Sequence, residues 1–192
     1  MVDVELRPHI PRWSDEIRVR SDSAPWQHGR MSDLRWNEAK NFFDPNLMGT
    51  LPDLWVPGVT VADWQVVFDL VQSSGWPWEY LEGGNVRPLP PAADVLPPAA
   101  DAEYIRLPVW PVPGVQVTFW PMSAAEIDFD VDLRELQGQA GVDTLCDFVC
   151  AIGRRLGKPV FMSAEGQYGY PLLGFDPETD RVVLLADPID HG

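Results

Sequence analysis

From Glu126 to Leu133 the chain reads Glu-Ile-Asp-Phe-Asp-Val-Asp-Leu, acidic at every even position and apolar at every odd one. Successive side chains of a β-strand point to opposite faces. A strand over Glu126–Asp132 is therefore expected to turn Ile127, Phe129, Val131 and Leu133 toward a core. Glu126, Asp128, Asp130 and Asp132 would then form a row on the other face, neighbours about 6–7 Å apart at the usual strand rise. A carboxylate row repels itself, and Asp is depleted in sheets, so something must compensate.

Elsewhere the apolar period lengthens to that of a helix. Trp64, Val67, Phe68 and Val71 recur at i, i+3, i+4 and i+7, behind a capping-box pattern at Thr60-Val61-Ala62-Asp63. This predicts a helix over about 60–74. Leu145, Phe148, Val149, Ile152 and Leu156 form a second stripe and predict a helix over 142–156. Arg154 and Arg155 suit the negative end of its dipole, and Gly157 followed by Pro159 stops it. A shorter helix is expected at Asn37–Phe43, ended by Asp44-Pro45. Strand-like runs lie at 78–81 and 85–89 around Gly83-Gly84, then at 104–110, 115–120, 160–163, 170–175 and 181–185. The pattern predicts an α+β fold: a mainly antiparallel sheet with two amphipathic helices packed on it. Two similar lobes are the alternative arrangement.

Proline and glycine divide the chain. Pro90-Pro91-Ala92-Ala93-Asp94 is repeated as Pro97-Pro98-Ala99-Ala100-Asp101, which reads as an exposed, semi-stiff connector over 90–102. The expected organisation is one domain of 192 residues: an irregular N-terminal arm (1–35), a first half (36–89), the connector, and a second half (103–192). That length buries enough surface to fold without a metal or disulfide staple.

Charge narrows the function. The formal charge is −15, yet residues 1–40 carry seven basic and seven acidic side chains, so the remainder holds all of it. Nucleic-acid and anionic-membrane binders need a basic footprint, and this chain has the opposite. An acidic field attracts a basic protein and speeds its encounter. Nine tryptophans supply core anchors and candidate interface aromatics. No apolar run approaches a membrane span, and Met1–Arg7 lacks the form of a signal peptide. Cys146 and Cys150 read as reduced thiols on one helix, which fits a cytoplasmic protein.

Catalytic patterns are scarce. There is no phosphate loop, dinucleotide fingerprint or nucleophile elbow, and nothing in the pattern calls for a cofactor. His9, His28 and His191 are isolated, and the loop Ser163–Gly169 reads as an ordinary connection. Glu38-Ala39-Lys40, with Asp22 or Asp33 upstream, has the residue types of a restriction-type nuclease motif in a helical context. The acidic row thus leaves three readings. It is an edge strand whose charge deters aggregation, a face that meets arginines of the N-terminal arm or of a partner, or a divalent-metal site. The leading expectation is a non-catalytic acidic module, an immunity- or antitoxin-like inhibitor or accessory subunit. Glu126, Asp128, Asp130 and Asp132 would engage its basic protein partner. The alternative is a metal- or carboxylate-dependent hydrolase or nuclease using the same row.

Overall fold

The computed structural model describes residues 34–99 and 103–186. Nearly all of the expected N-terminal arm, the three histidines and the last two residues of the repeat's second copy (Ala100-Asp101) lie outside those residues. Among the described residues nine strands form one antiparallel sheet: β1 (Asp53–Pro57), β2 (Tyr80–Glu82), β3 (Asn85–Arg87), β4 (Ile105–Val112), β5 (Val115–Trp120), β6 (Glu126–Val131), β7 (Val160–Ser163), β8 (Leu173–Asp176) and β9 (Arg181–Leu184). Their spatial order is β3-β2-β4-β5-β6-β1-β7-β8-β9. The helices are α1 (Trp36–Ala39), α2 (Pro45–Met48), α3 (Val61–Ser73), α4 (Ala92–Val95) and α5 (Gly138–Leu156). The fold is α+β, as the alternating and helical periods predict.

The two long helices form where their stripes place them. Thr60 and Asp63 exchange hydrogen bonds as a capping box at the start of α3. Trp64 then ties α3 to the sheet, its indole N–H donating to the Ser123 and Glu126 carbonyls at 2.8 and 3.1 Å. α5 ends at Gly157 in the left-handed conformation, with Lys158 N–H donating to the Gly153 carbonyl at 3.1 Å. The core lies between this helical layer and one face of the sheet. Leu54 and Val56 of β1, Phe119 of β5 and Ile127 and Phe129 of β6 enter it, with Phe148 of α5. Phe119, Phe129 and Phe148 stack mutually at 5.1–6.0 Å between ring centroids. Each ring buries enough apolar area to make this cluster a large part of the hydrophobic driving force.

Three expectations change. The 37–43 helix is a single α-turn followed by a 3-10 turn at Lys40–Phe43. Asp44 then opens α2 by accepting from the Asn46 N–H at 2.9 Å. The proline segment is not an exposed connector throughout: Ala92 and Leu96 are buried, and the Ala92 N–H donates to Gln65 of α3 at 2.8 Å. Proline excludes a long helix or ladder there, but leaves room for the four-residue α4, whose apolar side docks on α3. Finally, β1 was not foreseen as a strand. It comes from the first half of the sequence yet sits between β6 and β7, so both halves share one sheet.

Candidate functional site

The alternation at Glu126–Val131 appears in the structure as read: Ile127, Phe129 and Val131 are buried, while Glu126, Asp128 and Asp130 are half-buried on the opposite face. The edge-strand reading is overturned, because β6 is central, paired with β5 on one side and β1 on the other. Asp132 also leaves the row. The strand stops at Val131, and Asp132 instead caps a 3-10 turn at Leu133–Glu135 and pairs with Arg134.

Register assembles the rest of this open face. Directly opposed residues of an antiparallel pair share a face, with Cβ atoms about 4.5–5.5 Å apart. One cross-strand row therefore runs Trp120, Asp128, Trp55, Phe161 through β5, β6, β1 and β7. The next runs Thr118, Asp130, Asp53, Ser163 through the same strands. Asp53 and Trp55 were missed with β1, and Ser163 reads from the sequence only as the end of a strand and the start of an ordinary loop. The available signal for β1 was the β-forming trio Leu54-Trp55-Val56 between Pro52 and Pro57-Gly58.

A small aromatic layer covers part of this face. Trp55 and Phe161 are almost fully buried although they point away from the main core. Tyr168 lies over Trp55 at 4.6 Å and Phe161 lies beside it at 5.5 Å. The loop carrying Tyr168 is pinned at its root. Glu165 N–H donates to the Met48 carbonyl at 2.7 Å, and its carboxylate accepts from the Thr50 and Leu51 amides at 2.8 and 3.1 Å. Gly166 N–H donates to Asp53 Oδ2 at 2.9 Å. At the other end of the face, the Trp120 indole donates to Asp130 Oδ2 at 2.6 Å, and Tyr104 stacks on Trp120 at 5.1 Å.

The electrostatics follow from burial among like charges. Partial burial, then Glu126 and Asp53, push the Asp128 carboxyl up to about 7. Asp130 is raised by burial and by Asp53 and Glu165, against the opposing hydrogen bond from Trp120. Asp53 is raised by burial, with Gly166 opposing and Glu165 adding to the rise. Burial also raises the Tyr168 phenol, as does its hydrogen bond to Glu126. Ion pairs among the described residues lie elsewhere: Arg134 with Asp132, Arg154 with Asp180, and Lys158 near Asp63. Arg106 of β4 alternates onto the same side of the sheet but is exposed and makes no ion pair to this row. The described residues contain no group of three or more His, Cys, Asp or Glu arranged to hold a metal ion.

One polar atom on this face is unsatisfied. Ser163 is completely buried, and its hydroxyl has no hydrogen-bond partner. Cys146 and Cys150 are buried thiols within α5, away from the acidic rows, and burial lifts Cys150 to about 11. Glu38 and Lys40 are exposed on α1 and the turn after it; Asp22 and Asp33 of that motif lie outside the described residues. No helix among the described residues is long and apolar enough to cross a membrane. No protein-family model matches the chain, and neither curated proteins nor solved structures give a match.

Proposed function

We propose that this chain is a non-catalytic binding module that receives a basic protein partner on the open, acidic face of its sheet. An immunity- or antitoxin-like inhibitor, or an accessory subunit, working in the cytoplasm fits this form. The observation that carries the reading is the group Asp53, Asp128 and Asp130 on adjacent strands, with no lysine or arginine of the described residues paired to them. Burial first, and after it repulsion among these carboxylates, raises their pKa values, and an incoming cation relieves the repulsion. Exposed Tyr104, which packs on Trp120, and exposed Met122 and Tyr170 are the kind of large side chains that anchor interfaces. The net charge of −15 supplies long-range attraction.

The test is capture of a basic protein by the tagged chain from its native host, compared with the Asp53→Asn/Asp130→Asn variant. The expected result is a basic partner retained at low salt, released by salt, and lost with the variant. Capture that ignores both salt and the variant places the interface elsewhere and overturns the reading.

A carboxylate-dependent hydrolase is the second reading, and Asp128 alone favours it. A carboxyl group that titrates near 7 beside Glu126 has the proton affinity of a general acid or base. Hydrolysis of a test panel of glycosides and phosphoesters that vanishes in Asp128→Asn would establish it against the binding reading.

A further inference from the structure

We infer that the acidic face contains a seat for one primary ammonium group, supplied by a lysine side chain of the basic partner and held by Asp53, Asp130 and Ser163. This rests on the protein-binding reading above and specifies the group that the face recognises.

Three independent features converge on that spot. Asp53 and Asp130 oppose each other directly across β1 and β6, and Ser163 opposes Asp53 from β7. All three side chains therefore leave the same face of the sheet in one row. Each aspartate already has one oxygen engaged: Asp53 Oδ2 accepts from Gly166 N–H, and Asp130 Oδ2 accepts from the Trp120 indole. Their second oxygens accept no hydrogen bond from the described residues. Ser163 presents a fully buried hydroxyl with no partner at all. A buried hydroxyl left without a partner is costly and uncommon in native folds, so it marks a place where a polar group belongs.

The form of the acceptors selects the donor. An ammonium offers three N–H groups on a compact point charge, and it meets separate single acceptors well. A guanidinium prefers both oxygens of one carboxylate in a plane, or an aromatic face on which to stack. In Asp53 and Asp130 one oxygen of each carboxylate is already engaged, which disfavours a bidentate fork. The two tryptophans beside the row are each engaged by a tyrosine: Trp55 lies beneath Tyr168, and Trp120 lies against Tyr104. Asp128 keeps both oxygens but stands between Trp55 and Trp120 in the neighbouring row, where it adds charge. A bare divalent cation requires several oxygens at about 2.0–2.6 Å. The described carboxylates form no such group.

The indole N–H of Trp120 reports on the seat, because it is bonded to the same Asp130 carboxylate. The experiment follows its ¹H–¹⁵N resonance in the full chain during titration at constant ionic strength. The probes are N-acetyl-lysine amide, N-acetyl-arginine amide, glycine amide and the uncharged N-acetyl-norleucine amide. The expected result is a saturable shift with the lysine probe, at least about fivefold tighter than with the arginine probe, and none with norleucine. Asp53→Asn should weaken the lysine probe about tenfold. Ser163→Ala, which removes only the orphaned hydroxyl, should weaken it about threefold while Tm holds or rises, since a costly unpartnered group is lost. Equal binding of lysine and arginine probes, or indifference to Ser163→Ala, overturns the seat. Tighter binding of glycine amide overturns the lysine assignment in favour of a chain N-terminus. No saturable shift with any probe also overturns the seat. Loss of partner capture in the Asp53→Asn/Asp130→Asn variant without any probe shift overturns the seat while leaving the binding reading in place. A seat that binds the lysine probe in a chain that captures no basic protein overturns the protein-binding reading instead.

Discussion

Asp128 shows how one residue can be set against the stability of its own fold. Its side chain is flanked across the strands by Trp120 and Trp55, and Glu126 and Asp53 are its charged neighbours. The carboxyl holds its proton to about pH 7 in the folded chain and loses it near 3.8 when unfolded. Between those values the unfolded state binds fewer protons, so this group's contribution to stability falls as pH rises from about 4 to 7 and then levels. Asp128→Asn should remove that slope and raise stability at pH 8. Contact with solvent screens much of the effect, which leaves a gain of about 1 kcal/mol, or about 2–4 °C in Tm for a chain this long. Thermal melts from pH 4 to 8 check both the gain and the lost slope; an unchanged pH profile would show that Asp128 titrates normally. The opposite face of the same strand behaves differently. Phe129 is buried against Phe119 and Phe148, and Phe129→Ala should cost about 3–5 kcal/mol at every pH. A chemical denaturation midpoint measured beside the Asn variant separates the two faces.

At the scale of elements, legibility in the sequence followed periodicity. α3, α5 and β6 have one buried and one open side, so their apolar spacing names the element and its inner face. β1 has no such pattern. Leu54, Trp55 and Val56 are all buried, the first and last in the main core and Trp55 under Tyr168. A three-residue apolar run between prolines carries no period, and Asp53 and Trp55 went unread with it. α4 was hidden for another reason, because proline density signals exposure while saying nothing about the two apolar side chains it carries inward. That correction has a measurable consequence. Replacing Pro90–Ala99 with a Gly/Ser segment of equal length removes the buried Leu96 and Ala92, and should cost about 2–5 kcal/mol. A loss below about 0.5 kcal/mol would return the segment to a plain connector. Close packing between elements gives a second case. A Cβ built on Gly153 of α5 would run into the Phe175 ring of β8. Gly153→Ala improves helix propensity by about 1 kcal/mol, yet overpacking costs about 1–3 kcal/mol, so a net loss is expected from denaturant melts.

Across the whole molecule, the sheet divides the chemistry between two sides. Helices cover one face and complete the apolar core, while the other gathers carboxylates from β1 and β6 under a partial aromatic cover. The carboxylates of β6 were legible because they alternate along one strand. Their convergence with Asp53 and Ser163 was not, since residues 53, 130 and 163 are brought together only by the insertion of β1 between β6 and β7. Such contacts depend on strand order, which local pattern does not encode. The arrangement makes a kinetic prediction about the Asp53→Asn/Asp130→Asn variant. Both substitutions are nearly isosteric and remove mutually repelling charges, so the free chain should fold with equal or slightly higher stability. Toward a basic partner, the variant loses charge at the centre of the interface on top of a chain that still carries a large negative excess. Long-range attraction should therefore survive in part, while the local attraction and the hydrogen bonds at the seat are lost. Association should slow about tenfold or less at low salt, with a shallower dependence on ionic strength, and dissociation should quicken by a larger factor. Stopped-flow or surface-binding kinetics over a salt series measure both rates. A change confined to association would mean that the two aspartates only steer, and that the contact itself lies elsewhere on the molecule.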